Sequence, residues 1–186
     1  MVIKIKYPDI GVCGLSCVLC PRYYTDGASR CWGCKTPSRM GAICPITNCA
    51  LNKKGVEFCW ECGESQSCPR WGKLRDFGKQ HDSPKCYQTL EDDIAFIQQH
   101  GVAEFRIKQQ IRADLLTEML RGFNEGRSKS YYCIATTVVD IDELKEALAR
   151  AKRDSVGLGM KEKAKVLHSM LDEVARQRGY YLKLRK

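Results

Sequence analysis

The chain has 186 residues, of which 44% are apolar and 28% charged, and it carries 31 Lys and Arg against 22 Asp and Glu for a formal net charge of +9. That apolar fraction supports a packed core and excludes wholesale disorder, and the length suits one domain or two small ones. No stretch approaches the roughly 18 consecutive apolar residues of a membrane helix.

In chain order, Val2 to Ile5 can form a short strand. Lys4 and Lys6 interrupt this apolar start, so no secretory signal is read, and the expected location is the cytoplasm. Thiols stay reduced there, which points the cysteines toward metal rather than disulfides. Eleven of the 12 cysteines lie between Cys13 and Cys86, and residues 1–88 also hold all three tryptophans and all six prolines. Residues 89–186 hold one cysteine, no proline and helical periodicity. The expected architecture is therefore α-rich. A metal-stabilised, cysteine-rich region at 1–88 packs on a helical region of four or five helices at 89–186, which would cover Trp32, Trp60 and Trp71.

The cysteine spacings are Cys13-x3-Cys17-x2-Cys20, Cys31-x2-Cys34, Cys44-x4-Cys49, Cys59-x2-Cys62, then Cys68 and Cys86. A C-x-x-C turn presents two thiolates to one tetrahedral ion, with Zn–S near 2.3 Å. Gly14, Gly33 and Gly63 sit where such turns favour small residues. Cys20-Pro21, Cys44-Pro45 and Cys68-Pro69 recur every 24 residues, with proline expected to end each turn. Two four-thiolate sites would use eight of the eleven clustered cysteines. A third site would need a further ligand, which His81 could supply beside Cys86. Spacing does not say which cysteines share an ion: quartets such as 31/34/44/49 and 17/20/59/62 are equally compatible with it.

About two zinc ions is the favoured reading, and an iron–sulfur cluster is the alternative, since Cys-Pro also closes ferredoxin-type motifs. The Cys13/Cys17/Cys20 spacing also matches radical S-adenosylmethionine enzymes, but the alternating strands and helices of a partial barrel are missing from the pattern. Each four-thiolate zinc centre carries −2, so two of them reduce the net charge from +9 to about +5.

Arg70 to Lys79 interleaves cations with Trp71 and Phe77. This pattern suits phosphate and base contacts, but Trp71, Leu74 and Phe77 also fall on one buried helical face, the simpler reading. Thr89 caps a helix carrying Leu90, Ile94 and Ile97, with Gly101 as its stop and His100 as a cation at its end. Ile107, Ile111, Leu115 and Met119, beside Leu116, Leu120 and Phe123, form a wide stripe expected to be buried.

Arg127, Ser128, Lys129 and Ser130 then offer an anion site before a helix start. Cys133 follows as the candidate nucleophile or redox thiol, set against a plainer role as a buried apolar cysteine. Tyr131 to Val139 is read as a short buried helix rather than a strand. Asp140 with Glu143 resembles a capping box opening a helix through Leu144, Leu148 and Ala151. A loop at 155–159 precedes a last helix with Met160, Ala164, Leu167, Leu171 and Val174 on one face. His168 sits at the edge of that face.

Cys13-Gly14-Leu15-Ser16-Cys17, Cys20-Pro21, Cys31-Trp32-Gly33-Cys34, Cys49-Ala50 and Phe58-Cys59-Trp60-Glu61-Cys62 resemble an uncharacterised family of small cysteine-rich archaeal and bacterial proteins. That family is a domain of unknown function taken to bind zinc. Gly126 to Cys133 is similar to a segment of its longer members. The resemblance implies metal ligation by Cys13, Cys17, Cys20, Cys31, Cys34, Cys44, Cys49, Cys59, Cys62 and Cys68. Cys86 lies outside the matched stretch. The resemblance supplies no reaction and no substrate. Cysteine density without a recognisable catalytic constellation points to a binding module for a protein or nucleic-acid partner. The alternative is a metal-dependent enzyme using Arg127–Ser130 and Cys133.

Overall fold

Seven α-helices and no strand make up the regular structure among the described residues, which in this computed structural model are 3–36, 44–82 and 85–186. The α-rich class expected from periodicity is the one observed. Among the described residues, one antiparallel bridge joins Ile10 to Ser16. Of the strand expected at Val2 to Ile5, Val2 lies outside the described residues, and Ile3 to Ile5 are not in a strand. No helix among the described residues is long and apolar enough to cross a membrane. The chain divides into two compact units, Met1–Ile107 with Arg185–Lys186, and Lys108–Leu184.

In the first unit, closely spaced cysteines, glycines and prolines leave room only for short turns up to Ser67. These are 3-10 turns at Cys17–Leu19, Pro21–Tyr24, Gly27–Ser29, Cys59–Glu61 and Ser65–Ser67. Helix α1 (Pro45–Asn48) runs into a π-helical turn, Cys49–Lys54, which Gly55 ends at φ +62°. Helices α2 (Pro69–Gln80) and α3 (Leu90–His100) follow. The three Cys-Pro pairs open helical segments instead of ending turns: each proline takes a first helical position, where its missing N–H costs nothing.

Leu90 and Ile94 of α3 pack with Val12, Leu15, Leu51 and Trp71, so the helix after the compositional break near residue 88 shares the core of the cysteine-rich unit. A second cluster joins Ile10, Phe58, Ile97 and Phe105, and Phe58 stacks on Trp60 at 4.5 Å. Trp32 departs from expectation. It is 53% exposed, with the Arg30 guanidinium 3.8 Å over its ring. Gly33 meets a strict demand, because at φ +122° a Cβ there would lie 2.5 Å from the Pro8 carbonyl oxygen. Gly63 meets none, having open space around it and no positive φ.

A buried ion pair ties these turns together. Lys35 Nζ donates to Glu57 Oε1 at 3.0 Å and to the Tyr7 carbonyl at 3.2 Å, and it lies 3.6 Å over the Phe58 ring. Glu57 also accepts the backbone N–H groups of Tyr7 at 2.7 Å and Lys6 at 3.0 Å. Burial pushes the Glu57 carboxyl up, but these donors and Lys35 outweigh it and hold it below its usual range.

The second unit contains the rest of α4 (Val102–Phe123), α5 (Lys129–Val138), α6 (Ile141–Asp154) and α7 (Met160–Arg178). Leu116, Met119, Tyr132, Leu144, Leu148 and Leu171 are buried. Along α4 the buried face is Phe105, Gln109, Arg112, Leu116, Met119 and Phe123, while Ile107 and Ile111 of the expected stripe are exposed. Arg112 explains the rotation. Its Nη1 donates at 2.6 Å to the carbonyls of Thr136 and Val139, closing the C-terminal end of α5 with a cation.

The expected helix runs through Val138, with Val139 as its extended C-cap, and the Thr136 and Thr137 hydroxyls are satisfied by carbonyls one turn back. Asp140 caps α6 through the Asp142 N–H at 2.9 Å, but Glu143 pairs with Arg178 at 2.6 Å instead of completing a capping box.

Replacing Lys35 with Met strands the buried Glu57 charge, and this is expected to lower the unfolding free energy by about 3–5 kcal/mol in urea denaturation followed by tryptophan fluorescence. The double change Lys35→Met with Glu57→Gln is expected to cost less than Lys35→Met alone, since no charge is then left unpaired.

Candidate functional site

Backbone hydrogen bonds bring the cysteine turns together in two places. The Cys20 N–H bonds to the Cys17 carbonyl at 3.1 Å, which closes the first C-x-x-C turn. The Cys31 N–H bonds to the Arg22 carbonyl at 3.0 Å, which lays the second turn beside it. The result is a cavity of about 290 Å3 lined by Cys17, Cys20, Cys31, Cys34 and Cys44, with Arg22, Lys85 and two tyrosines on its wall. Further on, the Cys59 N–H bonds to the Val12 carbonyl at 2.8 Å, and Glu61 accepts the N–H groups of Glu57 and Phe58 at 3.0 Å each. Cys68 stands at the start of α2 and Cys49 at the start of the π-helical turn. Together with Cys59 and Cys62 they line a second cavity of about 30 Å3.

This grouping differs from both quartets raised from spacing. Each cavity takes its cysteines from one stretch of chain, Cys17 to Cys44 for the first and Cys49 to Cys68 for the second. Cys13 is absent from both linings, although it lies within electrostatic reach of Cys34 and Cys44. The triplet Cys13/Cys17/Cys20 therefore does not line a cavity as a unit. His81 stacks on Phe77 at 5.1 Å, and neither it nor Cys86 lines either cavity. Burial pushes the Cys86 thiol up to about 11. Among the described residues, no group of three or more His, Cys, Asp or Glu side chains is arranged to hold a metal ion.

One thiol in each cavity is costly to ionise on its own. Cys17 is held well above the usual thiol range by its hydrogen bond with Cys34, then by burial and by the charge of Cys34. Cys59 is raised by burial first and then by Cys13, Cys68 and Cys49. One cation offsets this in the first cavity, where Lys85 Nζ donates to Cys34 Sγ at 3.1 Å. Burial opposes the charge of Lys85, but Cys34, Cys13 and Cys17 outweigh it and raise its pKa.

The candidate patch on α2 is divided, with Trp71 buried at 3% exposure and Phe77 exposed. Arg127 and Ser128 line a separate cleft in the second unit, where Lys129, Ser130 and Cys133 are absent from the lining. Cys133 is buried among the core residues of α5. Sequence reasoning placed His168 at the edge of an apolar face and missed its partners: its Nε2 lies 2.8 Å from the Ser128 hydroxyl and its ring stacks on Tyr131 at 4.0 Å. Forty positions separate His168 from Ser128, and no local spacing signals the pairing.

No family model matches the chain, nor does any curated protein or solved structure. The chemistry of its own residues carries the functional argument.

Burial makes a prediction for Cys133. In the native protein it is expected to resist iodoacetamide over a period in which the denatured protein is fully alkylated at this position, as read by peptide mass spectrometry.

Proposed function

We propose that the chain is a zinc-binding interaction module of the cytoplasm, with two four-thiolate centres organising its first unit. Cys17, Cys20, Cys31 and Cys34 would hold one ion, and Cys49, Cys59, Cys62 and Cys68 the other. The observation that carries this reading is the sorting of the clustered cysteines into two separate cavities, each with at least four thiols. Soft thiolate donors in fours suit Zn2+. Among the described residues no three of these side chains are set around an ion, so ligation would draw them together. Zinc supplies cross-links between turns that have few apolar residues of their own, and its binding free energy becomes folding free energy. Thiol protons are released on binding, so affinity should rise with pH. The resemblance to the uncharacterised cysteine-rich family agrees with this reading.

A second reading is favoured by one observation, the unequal size of the cavities. About 30 Å3 suits a single ion, whereas about 290 Å3 with a fifth cysteine, Cys44, has room for an iron–sulfur cluster. Lys85 on Cys34 then resembles the sulfur-directed hydrogen bonds that tune such clusters. The enzyme reading built on Cys133 draws no support from a thiol that lines no cavity.

Elemental analysis of protein from unsupplemented cells, with an absorption spectrum, tests both. About two zinc ions per chain and no colour are expected, and iron with absorbance near roughly 400 nm would transfer the first cavity to a cluster. Cys31→Ser and Cys62→Ser are each expected to lose about one ion, and the double variant both. If the two single variants lost the same ion, the partition would be wrong.

A further inference from the structure

The second unit contains an open cleft of about 1080 Å3, larger than most small-molecule pockets. One wall is the segment ending at Ser128, and the other is a single face of α7. On that face Lys161, Lys165, His168, Asp172 and Arg176 recur at three- or four-residue steps. At 1.5 Å per residue the line from Lys161 to Arg176 is about 22 Å long, so no single phosphate reaches both ends.

The cleft is cationic. Arg127, Lys161, Lys165 and Arg176 line it, and no ion pair among the described residues engages any of the four. Its two acids are held by hydroxyl donors: Tyr131 donates to Asp172 at 2.7 Å and Ser128 to Glu125 at 2.5 Å. Four cations against two acids leave +2.

At the middle of the line, the contact between Ser128 and His168 does not make a nucleophile. The serine has one hydroxyl proton, and the ionised Glu125 takes it, so His168 Nε2 must donate to the serine oxygen. The imidazole is thereby fixed along its edge, and Tyr131 lies flat on one face at 4.0 Å and 12°. Burial lowers the His168 pKa against the pull of Asp172 and Glu125, which favours a neutral ring. A neutral, immobilised aromatic ring midway along a line of cations is a stacking surface for an unpaired base.

We propose that this cleft binds single-stranded nucleic acid, with phosphates along Lys161, Lys165, Arg176 and Arg127 and one base against His168. The site stands on residues of the second unit and does not depend on the metal reading of the first.

Fluorescence anisotropy of the full protein as isolated, with a labelled oligouridine of about ten nucleotides at low salt, tests it. Saturable binding is expected. Lys161→Glu with Lys165→Glu should weaken it about ten-fold or more and make the salt slope shallower by about 1.4, at roughly 0.7 per lost phosphate contact. His168→Ala should weaken it about five-fold or more. Lys145→Glu with Arg153→Glu makes the same change in net charge away from the cleft and should stay within about two-fold. Both cleft lysines are exposed, and Lys165→Ala gives a milder variant should the reversal disturb α7. The proposal is overturned by absence of saturable binding, by equal loss in the Lys145/Arg153 variant, or by polyglutamate displacing the strand as well as oligouridine does.

Discussion

The fully buried Lys35 ammonium and its partner Glu57 are the contact on which the first unit depends. Lys35 follows Cys34, a residue of the larger cavity, and Glu57 lies two positions before Cys59, a residue of the smaller one. One ion pair therefore fixes the relative position of both cysteine groups, and the same carboxylate holds the N-terminal segment through the N–H groups of Lys6 and Tyr7. Buried pairs of this kind add little net stability compared with apolar packing, but they are unforgiving of a lost partner. Specificity is the gain: a lysine that can be satisfied in only one place selects one arrangement of otherwise loosely packed turns.

The two units rely on different physics. In the second, apolar residues at helical spacing suffice, supplemented by Arg112 at the end of α5 and by Asp140 at the start of α6. In the first, the longest segments without cysteine, glycine or proline are too short for a helix of useful length until α2 begins. Two of its thiols, Cys17 and Cys59, are buried there, and their ionisation is opposed by burial and by neighbouring cysteines. Such an interior calls for a cation, and Lys85 supplies one for the larger group.

The helical half was legible because its pattern has a period. Leu90, Ile94 and Ile97 announce α3, and Leu144, Leu148 and Ala151 announce α6, all buried as their spacing requires. The face of α4 was misjudged because Arg112 and Gln109 occupy buried positions that a hydrophobic stripe assigns to Ile107 and Ile111. Periodicity has no way to value a cation that is satisfied by two carbonyls contributed from a helix more than twenty residues away. For the site, the cysteines themselves were plain, but their partition was hidden, because backbone bonds such as Cys31 to Arg22 and Cys59 to Val12 decide it. Lys35, Lys85 and His168 lacked any local mark, since each acquires its meaning from a residue forty or more positions distant or from a neighbour known only after folding.

The cysteine groups follow one another along the chain without interleaving: the first is complete by Cys44 and the second begins at Cys49. Each can close locally, and short closures are entropically cheap. A ribosome releases the chain from its amino end, so the cysteines of the first group emerge before those of the second. The order of the cysteines thus sets an order of emergence, with Lys35 exposed first, Glu57 arriving to dock against it, and Lys85 following to close the larger group.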